Sequence, residues 1–136
     1  MTKYIILSKT ATGGDESGIA DWSKEDIRRH LGYLEDLNRE LVATGELVAG
    51  EALAGPDRLK LVEADGTVAP VVTDGIYLEA KEIIVGYQTI DVESEARAIQ
   101  IAARVSAAPG PGGAPLRQPI ELREVMGNLP GIELWS

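Results

Sequence analysis

The chain has no cysteine, no phenylalanine and a single histidine. Without cysteine it has no disulfide, no thiolate nucleophile and no thiolate metal site. One histidine, with no carboxylates clustered beside it in the sequence, gives a metal centre little support either. Long hydrophobic runs are missing too. The opening MTKYIILSK carries one short apolar run, far below the roughly 20 residues a membrane span needs, and no signal-peptide pattern. A cytoplasmic protein that does not engage membranes is the expectation. Positive charge is scarce: 13 Lys and Arg stand against 22 Asp and Glu, a net charge of −9. Nucleic-acid binding, which needs clustered cations to neutralise phosphates, is therefore not expected. The acidic balance reads as a surface that keeps the protein dispersed.

What is present is aliphatic. Apolar residues make up 44% of 136 residues, enough for one domain with a real core rather than a disordered chain. That core must be packed from Ala, Val, Ile and Leu. Tyr4-Ile5-Ile6-Leu7 reads as a buried strand, and the glycine-rich 10–18 stretch as a loop. Ser23 fits an N-cap, with Trp22 and Ile27 as a hydrophobic staple and Glu25 and Asp26 at the positive end of the dipole. The helix runs over 24–44, with Ile27, Leu31, Leu34, Leu37 and Leu41 on one stripe and Gly45 as its stop. His30 and Asn38 lie within that stripe. His30 is either a packed imidazole satisfied by a backbone carbonyl or a titratable group facing a pocket.

Leu47 to Leu53 reads as a strand carrying an unexpected Glu51. The arms 59–63 and 68–72 flank Asp65-Gly66, a hairpin signal, with Pro70 placing the second arm at an edge or bulge. Asp74-Gly75 is another turn pair. Leu78 to Glu82 reads as a bend or one helical turn. Ile83 to Val92 is apolar on both registers, as a central strand covered on both faces would be, and Gly86 marks a bulge or a close backbone approach. A second helix opens near Ser94 with Ala96, Ile99, Ala102, Ala103 and Ser106 inward, leaving Ile101 off the stripe. The proline- and glycine-rich 107–119 stretch is expected to be a mobile loop, and 120–126 a last strand. Residues 127–136 form a tail that docks through Ile132, Leu134 and Trp135. The order implies an α+β, ferredoxin-like βαββαβ antiparallel sheet with an inserted β-hairpin. Its two helices share one face and the molecule dimerises through its sheets.

Asp74-Gly75, followed by Glu79, Lys81, Gly86-Tyr87 and Asp91-Val92, resembles the YCII-related or DGPF domain family. The likeness extends over 1–126, from Lys3-Tyr4-Ile5-Ile6-Leu7 through Gly50-Glu51-Ala52-Leu53 and Ala102-Ala103-Arg104 to Ile120–Met126. Ile76-Tyr77 departs from the family's Pro-Phe, which removes a backbone restriction and adds a hydroxyl. The resemblance implies a dimeric α+β barrel and a histidine–aspartate acid–base pair, here His30 and Asp74. Glu51, Tyr77, Lys81 and Tyr87 are the expected pocket-lining groups, with no metal. With no nucleotide-binding fingerprint, the expected enzyme is a cofactor-free lyase or hydrolase acting on a small polar molecule. The alternative is a non-catalytic small-molecule-binding or regulatory module, linked through the family's genes to extracytoplasmic-function sigma factors. For Asp74-Gly75 a purely structural turn stays open.

Overall fold

The structure is a computed structural model that describes residues 1–11, 21–77 and 82–132. The loop expected over 10–18, the bend at 78–82 and the docking of Leu134 and Trp135 fall wholly or largely outside the described residues, as do Glu79 and Lys81. Among the described residues six strands and two helices follow one another as β1 (Thr2–Ala11), α1 (Lys24–Ala43), β2 (Leu47–Ala52), β3 (Lys60–Glu63), β4 (Val71–Asp74), β5 (Glu82–Val92), α2 (Glu95–Ser106) and β6 (Ile120–Glu124). The main sheet has the order β2-β5-β1-β6 and is antiparallel throughout. β3 and β4 form a separate two-stranded sheet. The molecule is α+β, consistent with a ferredoxin-like arrangement carrying an inserted hairpin.

Strand alternation decides which residues meet the helices. Tyr4 pairs with Ile90 and Ile6 with Gln88, so Tyr4, Ile6, Ile90 and Val92 share the helix face. They join Leu37 and Leu41 of α1 and Ala98, Ile101, Ala102 and Val105 of α2 in one buried cluster. Ile6, Leu41, Ile90 and Ile101 are fully excluded from solvent, each worth roughly 1.5–3 kcal/mol of transfer free energy. The opposite face of the sheet carries Ile5, Leu7 and Tyr87, which stay only half-buried in the single chain.

α1 begins as its sequence requires: Ser23 Oγ accepts the Asp26 N–H at 3.1 Å, and Glu25 and Asp26 occupy the first turn. Its inner stripe is narrower than expected, because Leu31 is exposed. α2 is capped in the same manner by Ser94, but it is rotated from the expected orientation. Ile101 is buried and Ile99 exposed. Two i, i+3, i+4 stripes compete on this helix. The buried one, Ala98-Ile101-Ala102-Val105, carries two branched side chains against one in the other, so it removes more apolar area from water.

The hairpin also differs from expectation. β4 starts at Val71, so the connection spans 64–70 rather than a tight turn around Asp65-Gly66. Asp65 Oδ1 accepts the Thr67 N–H and hydroxyl, both at 2.9 Å, and Gly66 sits at φ +88°. This is an Asx turn inside a longer loop. Pro70 precedes β4, where a missing N–H costs no ladder bond. Gly75 shows why Asp74 is followed by glycine. A Cβ there would strike the Pro56 carbonyl oxygen and lie 2.8 Å from Leu59 Cβ, while the Gly75 N–H donates to Leu59 O at 2.8 Å. The turn at Pro56–Arg58 rests directly on this backbone.

The 107–119 segment is tied down rather than loose. Pro109 and Pro115 form a bridge, Leu116 N–H donates to Ala108 O at 2.9 Å, and Ser106 Oγ donates to Gln118 O at 2.6 Å. Gly112 N–H reaches Asp26 Oδ1 at 3.2 Å, which ties the segment to the start of α1.

Candidate functional site

A cavity of about 560 Å³ opens between α1, the β2–β5 side of the sheet and the end of α2. Its floor exists because the strands carry almost no side chain there. Ser8 pairs with Gly86, Ala52 with Gly86 and Gly50 with Gln88, all in phase with the helix face. Lys9 pairs with Ile84, which leaves Val85 without a counterpart, so the β-bulge falls beside Gly86. A Cβ at Gly86 would sit 3.4 Å from Glu51 O, an ordinary contact. That glycine therefore keeps the cavity open rather than relieving a clash.

His30 lines this space from α1. Its Nδ1 lies 3.0 Å from Pro109 O. A carbonyl only accepts, so Nδ1 carries the hydrogen and Nε2 is left as the basic nitrogen. Trp22 packs edge-on against the ring at 5.2 Å, with an interplanar angle of 85°. The imidazole is thus fixed in orientation and tautomer by a backbone carbonyl and an indole. Both readings of His30 meet here: it is satisfied by a carbonyl, and it borders a cavity.

Beside it, Gln88 Nε2 donates to Asn38 Oδ1 at 2.6 Å. Gln118 also borders the cavity and donates its amide hydrogen to Lys9 O. Gln88 was legible in principle, since period two puts it in phase with Ile90 and Val92 on the helix face of a central strand. Gln118 left no comparable signal; the fold of the 107–119 segment delivers it.

The other expected site residues divide. Glu51 and Tyr87 border the same cavity as His30. They are paired with each other, one residue out of phase with Gly50 and Gln88, so alternation sends their side chains to the opposite face. Asp74 does not line the cavity; its carboxylate is engaged by Lys60 Nζ across the β3–β4 ladder. Tyr77 is 73% exposed, and Lys81 lies outside the described residues. Among the described residues no three His, Cys, Asp or Glu side chains gather as a metal site would require. No helix among them is long and apolar enough to cross a membrane.

A second, more open groove runs along α1 between Leu31, Leu34, Asn38 and Val42, and shares the last three residues with the first cavity. It carries one ion pair, Arg39 to Glu35 at 2.5 Å, and no group suited to chemistry. No protein-family model matches the chain, and no curated protein does.

Proposed function

We propose that the cavity under α1 is a small-molecule site in which His30 is the acid–base group of a cofactor-free lyase or hydrolase. One observation carries this reading: the Pro109 carbonyl fixes the His30 tautomer so that a basic Nε2 remains on a side chain lining a cavity of about 560 Å³. That size suits a small ligand. A pre-oriented imidazole next to it is the minimum that general acid–base catalysis needs. The resemblance to the YCII-related or DGPF family adds support, because Gly50-Glu51-Ala52 and Gly86-Tyr87, two of the segments that carry it, border the cavity. In this reading the ring is oriented by Pro109 and Trp22, and the Asp74-Gly75 pair serves the hairpin corner.

A specific observation favours a second reading, a non-catalytic binding or regulatory module. No carboxylate touches His30 in the described contacts, and the polar side chains that share the helix-face side of its cavity, Ser8, Asn38, Gln88 and Gln118, are amides and a hydroxyl. The family's gene neighbourhoods would then point to extracytoplasmic-function sigma factor signalling. In both readings the molecule is a homodimer joined through the half-buried sheet faces, in the manner of the family's α+β barrels.

A panel of small polar molecules screened by melting temperature, then by product formation, separates the two. Specific binding raises the midpoint. Gly86→Leu, which fills the floor, should abolish the shift; hits that survive it bind elsewhere and end the site reading. For a turned-over hit, His30→Gln should lower kcat by about 10²–10⁴-fold with little change in affinity. A loss of affinity with no turnover in the parent protein selects the module.

A further inference from the structure

The geometry points to the class of ligand: a small neutral molecule bearing a carboxamide-type edge, with a hydrogen-bond donor beside an acceptor. This inference rests on the cavity's being a ligand site, whether or not chemistry occurs there. Its basis is the Asn38–Gln88 pair. One N–H of Gln88 Nε2 is spent on Asn38 Oδ1 at 2.6 Å. Among the described residues none takes the hydrogens of Asn38 Nδ2 or the lone pairs of Gln88 Oε1. Turning both amides over exchanges their roles and leaves the same surplus, one donor group next to one acceptor. A primary amide or lactam offers the complement in a single edge, its carbonyl to the donor and its N–H to the acceptor. A carboxylate offers only acceptors, so it would leave the amide carbonyl facing a negative oxygen.

The rest of the lining agrees. Among the described residues that border the cavity, Ser8, His30, Asn38, Gln88 and Gln118 supply polar side chains, Tyr87 is turned to the opposite face with Glu51, and none is Lys or Arg. Glu51, the one acidic residue among them, is directed to the opposite sheet face by its register. An anion would lose its hydration with no lysine or arginine among these described residues to receive it, inside a chain of net charge −9, and desolvation of an unpaired charge is costly. Leu34, Leu47 and Val105 supply the apolar wall for the remainder of the ligand.

Benzamide, benzoate and benzamidine share one ring and size and differ only at that edge, so they form the test. Titrations followed by the side-chain amide signals of Asn38 and Gln88 should show benzamide perturbing both and binding at least about tenfold more tightly than benzoate, the effect of one or two hydrogen bonds. Gln88→Glu keeps the shape and places a carboxylate beside the Asn38 donor, so it should shift preference to benzamidine. Should that variant fold poorly, the paired replacement Asn38→Leu with Gln88→Met removes both groups together and leaves neither unsatisfied. It should erase the benzamide preference while Gly86→Leu erases binding altogether. Benzoate binding as tightly as benzamide in the parent protein overturns the ligand class and leaves the site reading intact. No perturbation of Asn38, Gln88 or His30 by any of the three probes overturns both.

Discussion

A buried isoleucine and an exposed one, two positions apart on α2, set the energetic weights of single residues in this fold. Ile101 has no exposed area, whereas Ile99 is 54% exposed. Truncating the first leaves a void that the close-packed cluster of Leu37, Leu41 and Val105 cannot fill; truncating the second leaves only water. Ile101→Ala should therefore destabilise by about 2–5 kcal/mol, and Ile99→Ala by less than about 0.5 kcal/mol. Denaturant midpoints of the two variants check this, and equal losses would mean that α2 is rotated from the orientation described. The same pair shows what the sequence could tell. Helical period was plain, but choosing between two stripes required weighing branched side chains against alanines. The His30 side was legible as an imidazole on an inward face. The cavity was not, because it arises from what Ser8, Gly50 and Gly86 lack and from a segment whose path is fixed by distant contacts that no local pattern announces. Nothing local in Gln118 or Pro109 tells of their approach to Lys9 and His30, which lie about a hundred and about eighty residues earlier in the chain.

At the scale of elements, the two helices are tied by polar contacts as well as through the core. Tyr33 of α1 donates to Arg104 O of α2 at 2.7 Å, and Arg104 pairs with Glu40. At the end of α1, Glu46 receives a two-pronged bond from Arg97, Nε to Oε2 at 2.8 Å and Nη2 to Oε1 at 2.9 Å. This pair is the better placed of the two, with side chains only 14% and 26% exposed, and bidentate geometry strengthens it. The Arg97 guanidinium, aided by the Thr44 hydroxyl, holds the Glu46 carboxyl below its ordinary range against the opposing effect of desolvation. A folded value below the unfolded one means that the stabilisation is fully present above the unfolded value, about 4.3, and is lost as pH falls through the folded value. Glu46→Gln should thus cost about 1 kcal/mol at pH 7 and make the decline of the melting midpoint between about pH 5 and pH 3 shallower. It should not abolish that decline, since Glu40 and Glu121 are lowered in the same sense by Arg104 and Lys9. Parallel acid titration curves for parent and variant would show that Glu46 and Arg97 are not coupled.

At the scale of the whole molecule, the sheet has one face covered by helices and one left to itself. That second face has an apolar centre, Ile5 and Leu7 on β1 and Tyr87 on β5, half-buried in the single chain. Its margin is charged: Lys3 pairs with Asp91 at 3.7 Å and Lys9 with Glu121 at 2.7 Å. Asp91 Oδ1 is shut off from solvent and has no hydrogen-bond partner among the described residues. An apolar centre with ion pairs at its margin shares the pattern of protein interfaces, apolar in the middle and polar at the rim, and two-fold pairing would set the same face of each copy against the other. This is the physical ground for the dimer proposed above, which would need to bury about 1,200 Å² or more in total to be stable. Leu7→Asp tests it at one position. The side chain points away from the helix core, so the fold should survive, with far-ultraviolet dichroism unchanged. A carboxylate buried in the apolar centre of a closing interface should dissociate the pair. Sedimentation of the parent chain should give twice the chain mass and that of Leu7→Asp the single mass of 14.5 kDa. A parent that sediments as a monomer at micromolar concentration removes the sheet-paired dimer. The half-buried apolar centre would then need another partner.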